Sequence, residues 1–184
     1  MKTKKLTYAA LIISMAAIHP VALAQSEPAD KPVLEEKPAI QPGSLTTVIA
    51  DSATFFTLTK ALKAAGLDAT LGGNDEFTIF APTDDAFAKL PSGLLNKLML
   101  PENKEKLRTL LLYHVVAGRV LAADLSSGEI KTVNGEKLKI DATNGKIEVD
   151  GGKVYSADVS ATNGVMHSIG TVLVPKSLDG FEGL

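Results

Sequence analysis

The stretch Phe77–Leu90 constrains the fold more than any other part of the sequence. It reads FTIFAPTDDAFAKL, and its first five residues have the β-branched and aromatic character of a strand. Pro82 cannot donate a backbone hydrogen bond to a neighbouring strand, so the strand is predicted to end there. Thr83 is placed to cap a short helix that begins with Asp84, because a carboxylate complements the positive end of a helix dipole. We therefore predict a strand, a tight turn and a helix packed as one unit.

The same stretch resembles the first signature motif of the fasciclin domain family, approximately T-x-F-A-P-T-(D/N)-x-A-F. The matching residues are Thr78, Phe80, Ala81, Pro82, Thr83, Asp84, Ala86 and Phe87. Two landmarks of the family follow: Tyr113-His114 before two valines, and a segment from Asn163 that contains His167. This last segment resembles N-G-x-(I/V)-H-x-I-D-x-V-L. Gly170 departs from that pattern, so contacts of the usual aspartate cannot be carried over.

The resemblance implies an α+β domain over residues 44–178, a fasciclin-like β-wedge or sandwich with several short helices packed on one side. The residues agree with this interpretation. Apolar spacing predicts a helical piece at residues 45–50 and a helix from Asp51 or Ser52 to Ala65, which Gly66 ends. Shorter helices are predicted at residues 94–99 and from Pro101 to the Tyr-His pair.

The second half of the sequence has the character of β-structure. Asn134-Gly135 and Asn144-Gly145 each lie between alternating segments, which is typical of hairpin turns. A further turn is predicted at residues 150–152, followed by two strands, the last of which ends at Pro175.

The N-terminus predicts export. Three lysines, an apolar run over residues 6–18 and the small residues Ala22 and Ala24 are typical of a signal peptide at residues 1–24. Residues 25–43 form a linker rich in proline and acidic residues, and residues 179–184 form a tail. We expect a periplasmic or extracellular protein without a transmembrane segment after cleavage. The 21 acidic residues outnumber the 19 basic ones, which disfavours nucleic acid as a partner.

No constellation of residues points to catalysis. The chain has no cysteine, and His114 and His167 lack metal-ligand spacing, so we expect no metal, no cofactor and no catalytic residue. A triad of Ser168 or Ser156 with His167 and Asp158 can be written down, but Ser168 and His167 are neighbours on a strand and point to opposite faces, so Ser168 cannot readily serve His167. Both histidines are predicted to be structural, bonded to backbone at junctions between elements.

The resemblance implies a non-catalytic, extracytoplasmic adhesion or interaction module that binds a cell-surface, matrix or protein partner. Tyr113 and His114 are the leading candidates for partner contact, because that pair is linked to receptor contact in animal relatives. Their alternative role is to hold a helix to the sheet. The other candidate partner-binding or motif residues are Thr83, Asp84, Asn163 and His167. The alternative function is a carrier of a lipophilic small molecule such as a carotenoid, as in some algal fasciclin-like proteins.

Overall fold

The computed structural model describes residues 43–143 and 145–181, the last three of these as backbone only. The predicted signal peptide and residues 25–42 of the predicted linker lie outside the described residues, as do the last three residues of the predicted tail. Residues 179–181 belong to a 3-10 helix, Lys176–Phe181. A membrane-crossing helix needs a long apolar run, and none of the helices in the described part of the chain has one.

Short helices make up most of the first half of the domain. The helices are α1 (Leu45–Asp51), α2 (Phe56–Ala65), α3 (Asp68–Leu71), α4 (Asp84–Ala88), α5 (Leu94–Leu98) and α6 (Lys104–Tyr113). Gly66 ends α2 in the left-handed conformation, at φ 72°, as the sequence predicts. The helix predicted to begin at Pro101 is a 3-10 turn, Pro101–Asn103, that leads into α6.

In the described part of the chain, seven strands form one mixed sheet. The strands are β1 (Phe77–Pro82), β2 (Val115–Ala117), β3 (Gly128–Lys131), β4 (Lys137–Thr143), β5 (Lys146–Val149), β6 (Gly152–Ala161) and β7 (Gly164–Ile169). Their order is β2-β1-β7-β6-β5-β4-β3, with β1 and β7 parallel and the other neighbours antiparallel. This confirms the α+β class and the predicted turns at residues 134–135 and 150–152. Asn144, in the other predicted turn, lies outside the described residues.

The strand β1 and the helix α4 form the predicted unit. Five of the six residues of β1 are buried, so the strand is covered on both faces. Ile79 and Ala81 face the helices, while Phe80 faces the hairpins β3–β5. The Thr83 hydroxyl accepts a hydrogen bond from the N–H of Ala86 at 3.3 Å, which confirms the predicted cap.

The predicted start of α2 is wrong. The helix begins at Phe56 rather than directly after Asp51 or Ser52, and its N-cap residue Phe55 provides no side-chain cap. The Asp84 carboxylate accepts hydrogen bonds from the N–H groups of Phe56 and Thr57, at 3.3 and 2.8 Å. A residue distant in sequence therefore caps this helix, which local sequence patterns do not show.

The last strand also ends earlier than predicted. Strand β7 stops at Ile169, before Pro175, because neither of its neighbouring strands, β1 and β6, continues to pair with it beyond that residue. On one side the chain turns from β1 into α4, and Thr83 N–H donates to the Ile169 carbonyl at 3.1 Å. On the other side Gly170 N–H donates to the carbonyl of Lys153, close to the first residue of β6.

Candidate interaction site

The residues singled out by the sequence do not converge on one site. They occupy separate parts of the fold: Thr83 and Asp84 start α4, Tyr113 and His114 end α6, Asn163 lies in the β6–β7 turn, and His167 lies within β7. Each of these side chains makes a hydrogen bond to a backbone group, except that the hydroxyl of Tyr113 donates to the side chain of Asp150. Tyr113, His114, Asn163 and His167 are buried. The leading pair, Tyr113 and His114, is 3 % and 1 % exposed.

His114 joins the end of α6 to the segment that follows β7. Its Nδ1 donates to the carbonyl of Leu110 at 2.8 Å, and its Nε2 accepts from the N–H of Leu173 at 2.9 Å. This arrangement requires the neutral imidazole, because a protonated Nε2 cannot accept. Burial lowers the pKa of His114 to about 4, against 6.5 for an unperturbed histidine, so the ring is neutral at physiological pH.

Tyr113 packs beside His114 and connects α6 to the β-hairpins. Its hydroxyl donates to Asp150 Oδ2 at 2.6 Å and lies 3.2 Å from the Lys137 carbonyl. Asp150 Oδ1 accepts from the N–H of Lys139 at 3.1 Å, so the carboxylate bridges the tyrosine to β4. Burial, reinforced by the hydrogen bond to Asp150 and its charge, raises the pKa of the Tyr113 phenol above its usual range. We call this arrangement of Tyr113, His114 and Asp150 the α6 junction.

An open groove of about 710 Å³ lies above Tyr113. Among the side chains on its rim are those of Lys137, Lys139 and Lys176. Lys137 is paired with Glu129 at 2.8 Å, and the pair is largely exposed to solvent. Asp150 and these lysines were not among the predicted site residues. The signal that could have found the lysines is the alternation of charged and apolar residues in Lys137-Leu138-Lys139, which places both lysines on the same face of β4.

Asn163 ties two helices to the start of β7. Its Oδ1 accepts from the N–H of Leu45, the first residue of α1, at 2.8 Å. Its Nδ2 donates to the carbonyls of Leu71 and Gly73, at 2.9 and 2.8 Å, just where α3 ends. The side chain therefore forms hydrogen bonds with backbone groups that a helix leaves unpaired, an N–H at the start of α1 and a carbonyl at the end of α3.

His167 holds a loop against the centre of the sheet. It is fully buried and stacks on Phe80, with ring centroids 5.5 Å apart. Its Nε2 lies 3.0 Å from the carbonyl of Val120, and its Nδ1 accepts from the N–H of Asp158 at 3.3 Å. The prediction that both histidines bond backbone groups is confirmed, but only His114 lies at a junction between elements, since His167 lies within β7.

The hydrogen bonds also separate the members of the disfavoured serine, histidine and aspartate triad. Ser168 Oγ accepts from the N–H of Ser156, on the adjacent strand β6. The Asp158 carboxylate accepts from the N–H of Ala122 at 2.7 Å. Neither side chain is bonded to the ring of His167, so the geometry does not assemble a nucleophile, base and orienting acid. Within residues 43–143 and 145–181, no cluster of three or more His, Asp or Glu side chains is suited to a metal ion.

Gly170, the departure from the family pattern, lies beneath an exposed aromatic ring. A Cβ atom built on Gly170 would lie 2.3 Å from Cε2 of Tyr155 and 2.7 Å from its hydroxyl oxygen. Tyr155 is 67 % exposed. The carbonyl of Gly170 accepts from Lys89 Nζ at 2.7 Å. The absence of a side chain at residue 170 is therefore what allows the ring of Tyr155 to lie where it does.

Comparison with known proteins agrees with this geometry. Residues 53–175 match the family model for the fasciclin domain. The chain is 44% identical to protein sll1483 of Synechocystis over 156 residues, which cover 84% of this chain and 87% of that protein. It is 37% identical over 134 residues to the transforming growth factor-beta-induced protein ig-h3 of Sus scrofa, covering 72% of this chain and 19% of that protein.

The fold has a counterpart among solved structures. A pair of FAS1 domains from the insect cell adhesion molecule fasciclin I matches with a TM-score of 0.64 at 20% identity, covering 73% of this chain and 51% of that chain. At this identity the likeness shows the fold alone, and the family model and the sequence relatives carry the assignment. This chain belongs to the fasciclin domain family.

Proposed function

We propose that this chain is a non-catalytic interaction module that acts outside the cytoplasm and binds a cell-surface, matrix or protein partner. The observation that carries the proposal is the use made of the chemically versatile side chains. The polar side-chain atoms form hydrogen bonds to backbone groups inside the domain in the case of His114, Asn163 and His167. Side chains engaged in this way stabilise a rigid scaffold and are not poised to transfer protons or bind metal.

Family membership supports the same function. The structural relative fasciclin I is a cell adhesion molecule, and its FAS1 domains share this fold. A scaffold with an internally satisfied core can present different surfaces without altering its packing. Binding through the surface is therefore the use that this geometry favours.

We further propose export through cleavage after Ala24, which leaves Gln25 as the first residue. The proposal rests on the lysines, apolar run and small residues at the N-terminus. Fractionation of the source cells, with N-terminal sequencing of the purified protein, tests it. Recovery of the intact chain from the cytoplasm would contradict it.

The contact role of Tyr113 and His114 stays a prediction. Because both side chains are buried, a partner would reach the hydroxyl of Tyr113 only through the groove above it. Binding of the labelled protein to source cells and extracellular matrix should be compared for the natural chain and for Lys139→Gln, at the exposed rim of that groove. Reduced binding with unchanged melting supports contact there, and unchanged binding assigns Tyr113 and His114 to holding the helix on the sheet.

The carrier alternative is less well supported, because the described cavities larger than about 300 Å³ are open and lined by several charged side chains. A depression between α1 and α2, whose lining includes Ala50 and Leu62, measures only about 170 Å³. Ligand pockets are commonly about 300–1,000 Å³, so a carotenoid does not fit this one. The test is an absorption spectrum and organic extract of the protein purified from its source. A stoichiometric lipophilic compound would make the chain a carrier, and an empty domain would favour the interaction module.

A further inference from the structure

A cleft opens where strands β5 and β6 separate. The two strands pair only next to their turn, at Glu148↔Lys153 and Val149↔Gly152. Beyond that point β6 joins β7 instead, beginning with Val154↔Ile169. The space left between the strands has a volume of about 330 Å³ and is open to solvent. The residues that line the cleft include Lys146, Glu148, Lys153 and Tyr155.

One wall of the cleft carries Tyr155, whose exposure is unusual for an aromatic ring. Large apolar groups are normally buried because water disfavours their surface. The ring lies over Gly170, and any side chain there would collide with it. The combination of Tyr155 and Gly170 therefore presents a flat aromatic surface beside an open cleft.

The charged groups of the cleft have no partners among the residues that the structure describes. Among the described residues, no hydrogen bond or ion pair involves the ammonium groups of Lys146 and Lys153 or the carboxylate of Glu148. The two lysines come from different strands, one on each side of the cleft. They are therefore available to a ligand that carries negative charge, and Glu148 is available to accept hydrogen bonds.

We propose that this cleft binds an acidic polysaccharide, with a sugar ring stacked on Tyr155 and its carboxylates paired with Lys146 and Lys153. This inference rests on the proposed function, since it names the class of partner. Tyrosine offers a rigid, partly apolar face that suits the C–H groups of a sugar ring. Sugar hydroxyls can donate to Glu148, and the carboxylates of uronic acids supply the negative charge that the lysines complement.

The same features disfavour other occupants. An apolar ligand would remove three charged side chains from water without compensating them. A stable protein interface buries roughly 800 Å² on each partner around a desolvated apolar centre, which an open cleft with charged walls does not provide. A flexible, hydrated chain of sugar units offers a ring face to Tyr155, carboxylates to the lysines and hydroxyl groups to Glu148.

The test compares binding of the purified chain from residue 25 onward to polygalacturonate, neutral dextran and poly-glutamate, by titration calorimetry. We expect polygalacturonate to bind about tenfold more tightly than the other two, and added salt to weaken it by screening the lysines. Tyr155→Ala should reduce the affinity about tenfold, and Lys153→Gln should reduce it by a smaller factor. Gly170→Asp, which restores the residue usual in the family, should act like Tyr155→Ala because it displaces the ring.

Phe56→Ala is the matched control, because Phe56 is an aromatic residue that is 61 % exposed and lies on α2. It should leave the affinity unchanged. Equal binding of polygalacturonate and poly-glutamate would overturn the proposal, as would undiminished binding by Tyr155→Ala. Binding of the natural chain to source cells is measured in parallel. Binding to cells without binding to polygalacturonate would overturn this inference alone, whereas binding to neither would overturn the proposed function as well.

Discussion

Tyr113 and Tyr155 lie in two regions of the molecule that use the same side chain differently. At the α6 junction, Tyr113 is 3 % exposed and its hydroxyl is bonded to Asp150. At the cleft between β5 and β6, Tyr155 is 67 % exposed and lies over a glycine. In the first region the tyrosine is buried and its hydroxyl is bonded within the protein, whereas in the second the aromatic ring faces solvent beside charged groups. The difference separates the residues that hold the scaffold together from those available to a partner.

This comparison changes how a signature motif is interpreted. The family landmark Tyr113-His114 was the first choice for partner contact, yet its polar atoms are engaged inside the domain. Tyr155 lies outside the family landmarks, and its exposure depends on a residue that departs from the family pattern. A shared motif can therefore mark the common architecture, while a departure from it marks what is particular to one chain.

The largest effect is expected for His114→Ala. The substitution removes the partner of two buried backbone groups, the carbonyl of Leu110 and the N–H of Leu173, and leaves a cavity. We expect the free energy of unfolding to fall by about 3 kcal/mol or more. Urea denaturation measures this loss. His114→Gln, whose amide can accept from Leu173, should lose less, and equal stability of His114→Ala and the natural chain would show that the junction is not needed.

Acid should weaken the α6 junction next most strongly. The pKa of His114 is about 4 when folded and 6.5 in an unperturbed chain, so between these values the unfolded state takes up the proton and the folded state does not. The contribution of His114 is fully present above pH 6.5 and is lost as pH falls toward 4, by about 3 kcal/mol in total. Urea titrations at several pH values measure this slope. The difference between the natural chain and His114→Gln isolates it, and equal slopes would contradict the prediction.

Tyr113→Phe should have an intermediate effect. The change keeps the ring but removes the hydrogen bond to Asp150 and the weaker contact with the carbonyl of Lys137. Asp150 still accepts from Lys139 N–H, so we expect a loss of about 1–2 kcal/mol. Thermal melting measures it, with Tyr155→Phe as the matched control. A larger loss for Tyr155→Phe than for Tyr113→Phe would reverse the comparison between the two regions.

The smallest effect on stability is expected for Tyr155→Ala. An exposed side chain without a hydrogen bond to the described residues contributes little, so the free energy of unfolding should change by less than about 0.5 kcal/mol. The same urea denaturation used for His114→Ala measures it. A loss above about 2 kcal/mol would show that Tyr155 stabilises the fold, and would remove the contrast with Tyr113.

Local patterns were sufficient for much of the architecture. Strand β1, the Thr83 cap, the end of α2 at Gly66 and the hairpin turn at Asn134-Gly135 were all predicted, because each depends on residues adjacent in sequence. The start of α2 was not predicted, because Asp84 caps it from across the fold. The end of β7 was not predicted either, because strands on both sides decide where its ladder stops.

The sequence by itself determined the fold class, the order of the elements and the family, since periodicity, turn residues and motifs each depend on residues that are close together in sequence. Only the tertiary structure decided which residues are accessible. In the folded chain Tyr113 is buried beside Asp150, and Tyr155 is exposed over Gly170. The cleft lies where β6 stops pairing with β5 and begins to pair with β7. The physical reason is that solvent exposure and hydrogen-bond partners arise from contacts between segments far apart in sequence, which no local pattern records.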